Sequence, residues 1–244
     1  MTPRAAALRR SFDIYWRDRG RTARMDALHA SIVPPGGLAF DIGAHVGDRS
    51  ASFRRLGAQV VAVEPQPGPL RALRLIFARD PGVTLVGAAV GAAEGRAALH
   101  LNAANPTVAT LSPAFIAAAR HDPNWQGQRW DGQVSVPVTT LDALIAAHGR
   151  PDFAKIDVEG LEDAVLAGLS QPLPALSVEI TTIRRGVGHA CLDRLGALGT
   201  YRFALSMGED HALRTGWLDR DGMHAALAAL PDEANSGDVF ARLV

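Results

Sequence analysis

Residues 38–48, Leu-Ala-Phe-Asp-Ile-Gly-Ala-His-Val-Gly-Asp, constrain the fold more than any other stretch of the chain. A short apolar run carries an acid, Asp41, near its end, passes through glycines at 43 and 47, and gives way to a helical pattern over Arg49 to Leu56. A buried strand that turns on glycines into a helix is the opening unit of an open α/β sheet, whose ligands bind beyond the carboxyl ends of the strands. Glycine lets the backbone approach a ligand closely, and the amides that begin the next helix suit a carboxylate.

The next apolar run, Gln59 to Val63, ends in Glu64, where an acid can accept the hydroxyl protons of an adenosine ribose. A dinucleotide fold would also place an acid there, but its fingerprint is G-x-G-x-x-G. Here the glycines read Gly-x-x-x-Gly, His45 stands at the middle glycine position, and Asp41 precedes the turn. That pattern favours S-adenosylmethionine over a pyrophosphate. No Tyr-x-x-x-Lys pair is available for hydride transfer, because the tyrosines are Tyr15 and Tyr201 and the lysine is Lys155.

The strand and helix alternation continues along the chain. Helices are predicted near Pro69 to Arg79, Leu141 to Ala147 with Thr140 as N-cap, Leu161 to Leu169, His189 to Leu198 and Gly222 to Leu230. Strands are predicted at Thr84 to Val86, 96–101, 134–138, Phe153 to Asp157, Ala175 to Ile180, Tyr201 to Ser206 and Asp238 to Val244. Residues 4–30 interleave seven arginines with Phe12, Ile14, Tyr15, Trp16 and Leu28, which suits one or two amphipathic helices. The division is therefore a helical extension over 1–35 and a catalytic domain over 36–244.

Lys and Arg together equal Asp and Glu at 25 each, so no global field draws the chain to nucleic acid or an anionic membrane. The arginines near the N-terminus interrupt any apolar run long enough for a signal peptide or a span, and the expected location is cytoplasmic. Cys191 is the sole cysteine and forms no intrachain disulfide.

The single lysine lies in a second charged segment, Phe153-Ala-Lys-Ile-Asp-Val-Glu-Gly160. Strand periodicity puts Lys155, Asp157 and Glu159 on one side, at the same end of the sheet as Asp41 and Glu64. Burying such a set for stability alone is costly. A salt-bridged strand end remains the structural alternative.

Taken together, Asp41 to Gly47, Val63-Glu64-Pro65, Thr110-Leu111, Val138 to Asp142, Lys155 to Gly160, Val165-Leu166-x-Gly168 and Val178-Glu179-Ile180 resemble the FkbM-like methyltransferase family. The resemblance spans roughly residues 38 to 180, with Asp238-Val239-Phe240 similar to the closing strand. It implies a doubly wound, mostly parallel seven-stranded sheet of the Rossmann-like class I methyltransferase type, S-adenosylmethionine as cofactor, and O-methylation of a sugar, glycolipid or natural-product hydroxyl. It also implies Asp41, Gly43, Gly47 and Glu64 for the cofactor, with Lys155, Asp157 and Glu159 near the reacting centre; Ala44, His45, Pro65 and Ala89 are further cofactor candidates beside them. His45 departs from the family pattern, where asparagine is common.

An alcohol needs a base to take its proton during attack, and Asp157 or Glu159 is the candidate, with His45 third. Asp157, Glu159 and Glu179 could also hold a divalent cation through oxygen, although their spacing is not diagnostic and no metal is the expectation. The excursion from Asn102 to Gln133 reads as an acceptor lid, with Thr110, Trp125, Trp130 and the nearby Glu179 as acceptor contacts. A nicotinamide-dependent oxidoreductase and a non-catalytic adenosylmethionine-binding protein are the alternatives. The expected partner is a small hydroxylated molecule rather than nucleic acid, and a homo-oligomer is left open.

Overall fold

A computed structural model describes residues 3–244; the first two residues of the predicted extension lie outside the described residues. Two N-terminal helices, α1 (Pro3–Trp16) and α2 (Arg19–Ala30), precede the sheet, and Asp18 caps α2 by accepting from the Arg21 amide. The chain then alternates as the periodicity predicts: β1 (Leu38–Ile42), α3 (Asp48–Arg55), β2 (Gln59–Val63), α4 (Pro67–Ile76) and β3 (Val83–Val86). An excursion follows, holding β4 (Ala89–Val90), β5 (Gly95–Leu101), α5 (Pro113–Ala119) and β6 (Gly132–Thr139). After it come α6 (Leu141–His148), β7 (Phe153–Ile156), α7 (Glu162–Ala167), β8 (Ala175–Thr181), α8 (Arg185–Leu198), β9 (Tyr201–Met207), α9 (Arg220–Ala228) and β10 (Ser236–Leu243).

Seven strands form one sheet in the order β3-β2-β1-β7-β8-β10-β9. The first five run parallel, and β10 pairs antiparallel with both β8 and β9. This is the doubly wound, mostly parallel sheet of a class I methyltransferase-like fold. Its central strands are apolar on both faces, as a parallel sheet between helix layers requires: Ala39, Phe40, Val60, Ala62, Phe153, Ala154 and Ile156 are all buried.

The chain leaves β1 to build β2 and β3 on one side, then returns to lay β7 against the other side of β1. Strand ends diverge at such a reversal and open a crevice for ligands. The strands predicted at 96–101 and 134–138 exist, but they form a separate three-stranded sheet, β4-β6-β5, around the excursion. Among the described residues no helix is long and apolar enough to cross a membrane.

Candidate active site

One cavity opens where β1, β2 and β7 end, and its wall includes Asp41, Gly43, Ala44, His45, Glu64, Pro65, Ala89, Lys155, Asp157, Glu159, Trp125 and Glu179. Gly47, Thr110 and Trp130 stand outside that wall. Gly47 begins α3 at φ 78° beneath Leu73 and Phe77, so its role is in the turn itself. The Thr110 hydroxyl donates to the Glu159 carbonyl at 2.7 Å, and the Trp130 indole donates to the Val108 carbonyl at 2.8 Å. The first ties the excursion to the loop after β7, and the second closes the excursion on itself.

Glu64 organises the cofactor side. Its two carboxylate oxygens accept the His45 amide at 2.8 Å and the Gln66 amide at 2.7 Å. Burial lifts its pKa to about 7 even though those amides, Gln66 first, pull it down. Each oxygen keeps acceptor capacity, and a vicinal diol supplies the two O–H donors that such a carboxylate lacks. Gly43, in the cavity wall, presents backbone bare of side chain; a Cβ there would stand 1.8 Å from the Asp157 carbonyl oxygen, so the ends of β1 and β7 meet only on glycine. These residues therefore fit S-adenosylmethionine.

The reacting end is built by the loop after β7. Sequence periodicity extends the strand through Asp157 and Glu159, but β7 stops at Ile156. Buried Glu162 turns the chain by accepting the Val158 amide at 3.0 Å and the Gly160 amide at 3.2 Å, and Glu159 sits at φ 59°. Lys155, Asp157 and Glu159 still converge on the cavity, through this turn rather than through strand alternation. Lys155 Nζ donates to Asp157 Oδ2. Burial raises the Asp157 pKa, but the Lys155 ammonium, aided by the Arg49 guanidinium and a hydrogen bond with Glu179, outweighs it and holds the carboxylate below its ordinary range.

Glu159 and Glu179 lean the other way. Burial first, then Asp157, raises both well above the ordinary carboxylate range. One oxygen of each is out of solvent and without a hydrogen-bond partner. Ligand oxygens of Asp157, Glu159 and Glu179 all lie within 4.8 Å of one another. Such a cluster opposes folding at neutral pH. A carboxyl whose folded pKa is raised favours the fold below its unfolded pKa near 4.5, and that contribution is lost as pH rises. Glu179→Gln is therefore expected to raise the Tm of the ligand-free protein by several degrees, about 1–2 kcal/mol, with the gain growing from pH 4.5 to 7.5. Scanning calorimetry across that range checks it, and a variant less stable than wild type at pH 7.5 refutes it.

The cavity also takes residues that sequence reasoning did not single out: Tyr15 from α1, Arg49 from α3 and Glu209 after β9. No local pattern marks them, since Arg21 and Glu209 meet across 188 positions. Ser50 was likewise unmarked, yet its hydroxyl donates to Asp41 Oδ2 at 2.5 Å and fixes that buried acid.

Residues 41–199 match the family described as Methyltransferase FkbM domain. Among solved structures the chain is similar to a TehB-like SAM-dependent methyltransferase from Corynebacterium glutamicum, with TM-score 0.52 and 12% identity, covering 99% of this chain and 98% of that one. It is also similar to a precorrin-6Y C5,15-methyltransferase from Geobacter metallireducens, with TM-score 0.47, 14% identity and coverage of 95% and 91%. No curated protein sequence matched significantly.

Proposed function

The chain belongs to the FkbM methyltransferase domain family, and from that premise we propose that this S-adenosylmethionine-dependent methyltransferase methylates a hydroxyl oxygen of a sugar, glycolipid or other hydroxylated natural product. The observation that carries the reading is the group of carboxylates Asp157, Glu159 and Glu179 beside Lys155, two of which present an unpartnered buried oxygen. Ionised Asp157 only accepts, and the two glutamates in their neutral forms both donate and accept, so the complementary ligand carries a hydroxyl, which is itself donor and acceptor.

Asp41, Gly43, Ala44, His45, Glu64, Pro65 and Ala89 would hold the cofactor, which when bound supplies an electrophilic methyl group on a sulfonium. Asp157 stays ionised because of Lys155 and takes the proton of the acceptor hydroxyl as attack proceeds. Lys155 keeps that carboxylate oriented. Glu159 and Glu179, shifted toward their neutral forms, hydrogen-bond the acceptor oxygen, and the transferred proton stays on Asp157 until it passes to solvent. The excursion, with Trp125 in the cavity wall, shields the reacting atoms from water.

Two measurements test this reading. A labelled-methyl transfer screen over hydroxylated sugars, glycolipids, polyketides and a total-RNA control should label a hydroxyl oxygen in one of the first three classes. Label entering only RNA, or only nitrogen or carbon, overturns the acceptor assignment, and no turnover on any acceptor favours the non-catalytic alternative. Glu64→Ala should weaken S-adenosylhomocysteine binding by calorimetry roughly 10- to 50-fold, the cost of two hydrogen bonds at about 1 kcal/mol each. Unchanged affinity would remove Glu64 from the cofactor site.

A further inference from the structure

Tyr15 and Glu209 stand outside the family-matched segment of residues 41–199, yet both line the reaction cavity. Helix α1 lies directly on the glycine turn after β1. The Trp16 indole donates to the Val46 carbonyl at 3.1 Å, and the Tyr15 ring meets the His45 imidazole edge-on, 6.0 Å between centroids and 80° between planes. Tyr15 is itself held from two elements, with the Arg21 guanidinium 5.1 Å and the Arg49 guanidinium 5.7 Å from its ring centroid.

Those two arginines close a compact ion cluster. Arg21, its side chain 5% exposed, bonds Asp48 at 2.8 Å and Glu209 at 2.5 Å. Arg49 bonds the same two carboxylates, at 2.6 Å and 2.9 Å. Two cations and two anions balance, with His211 Nε2 also 3.1 Å from Glu209, and the geometry of the cluster seats the tyrosine. Removing one member would leave a buried charge uncompensated.

The turn beneath Tyr15 still lacks partners. Both imidazole nitrogens of His45 are out of solvent with no hydrogen bond, and a neutral imidazole carries an N–H on one of them. Burial pushes the His45 pKa down to about 4, so the ring is neutral and offers one donor and one acceptor. Glu64, at the end of β2, suits the ribose, whereas the Tyr15 ring stands over His45 in the turn after β1, in the same cavity wall as Arg49, Asp157 and Glu209.

We propose that Tyr15 and His45 together bind the amino-acid end of the cofactor, with Tyr15 seated by the Arg21–Arg49–Asp48–Glu209 cluster, so that α1 completes the cofactor site. The amino-acid end carries a carboxylate and an ammonium, which match the donor and acceptor of the imidazole. The inference rests on the adenosylmethionine cofactor and not on the identity of the methyl acceptor.

The test compares two probes by titration calorimetry: S-adenosylhomocysteine, which has the amino-acid end, and 5′-methylthioadenosine, which lacks it. Tyr15→Ala and Tyr15→Leu should weaken S-adenosylhomocysteine at least 10-fold and leave 5′-methylthioadenosine within two-fold. Tyr15→Phe, which keeps the ring, should recover most of the affinity. Arg21→Gln should weaken S-adenosylhomocysteine three- to ten-fold while Arg21→Lys restores part of it, as expected of a positioning residue. The leucine variant preserves bulk should the alanine variant fail to fold. Unchanged S-adenosylhomocysteine affinity in a folded Tyr15 variant overturns the proposal, as does an equal loss for both probes. Wild-type protein that binds neither probe overturns the cofactor reading beneath it as well, and failure of every acceptor leaves the comparison intact.

Discussion

Asp157→Asn is expected to lower the turnover of methyl transfer about 10³-fold, roughly 4 kcal/mol of barrier, while changing S-adenosylhomocysteine affinity less than about three-fold. The substitution keeps the shape of the side chain and removes its capacity to accept a proton. It also releases Lys155, whose ammonium is buried beside Asp157 and keeps Asp41 and Asp238 as further anionic neighbours. Glu159→Gln should cost less, because burial first and then Asp157 already favour the neutral form at that position. The ordering of the two variants therefore separates a proton acceptor from a hydrogen-bonding neighbour. Equal losses would mean that no one of the carboxylates takes the proton alone, and undiminished turnover in Asp157→Asn would remove that residue from the chemistry.

The pH profile follows from the same cluster. Glu159 and Glu179 keep protons to higher pH than free carboxyls do, with burial the leading cause. With Asp157 already ionised, turnover should hold while the two glutamates keep their protons and fall once rising pH ionises them, and the ligand-free protein loses stability over the same rise. His29 pulls in the opposite direction. Burial depresses its pKa to about 3, and its Nδ1 lies 2.8 Å from the Ser52 hydroxyl. A histidine held neutral in the fold contributes stability that is lost as pH falls below the unfolded value near 6.5. The two effects oppose each other between about pH 4.5 and 6.5, so only the difference between a variant and wild type isolates the carboxylates.

Much of this architecture can be read from the sequence because local chemistry dictates it. The apolar runs at Leu38–Ile42 and Gln59–Val63 are bounded by acids and glycines, and α3, α6 and β8 begin within a residue of where periodicity places them. The membership of β4, β5 and β6 in a second sheet is not legible, since strand propensity says nothing about which neighbour a strand will pair with. The convergence of Lys155, Asp157 and Glu159 is readable for an incomplete reason. Alternation would aim all three to one side, but Glu162 ends the strand, and the left-handed backbone at Glu159 restores the direction. Tyr15, Arg49 and Glu209 escape sequence reasoning altogether, because their meeting depends on contacts spanning most of the chain.

Gly43→Ala tests the point at which sequence and site are most tightly joined. The β1 strand hands over to its turn while still bonded to both neighbours: the Asp157 amide donates to Ile42 O at 3.0 Å, and the Gly43 amide to Val63 O at 2.9 Å. Gly43 has φ 85°, so alanine there first incurs a conformational cost of about 1 kcal/mol. The steric conflict is larger, because the new methyl would meet the Asp157 carbonyl oxygen at 1.8 Å and a backbone atom cannot rotate away. Relief requires β1 and β7 to separate at their ends, which breaks the Asp157–Ile42 bond and displaces the residue proposed to take the proton. The total is expected to exceed about 3 kcal/mol, a Tm lower by some 6–12 °C, with S-adenosylhomocysteine affinity reduced by about two orders of magnitude. Gly36→Ala supplies the control, since Gly36 has φ 75° but no atom within 4 Å of the place its new methyl group would take. It carries the conformational strain alone and should lose about 1 kcal/mol with cofactor affinity unchanged. Matching losses in the two variants would mean that backbone strain, and not the close approach of β1 to β7, is what glycine relieves at the turn.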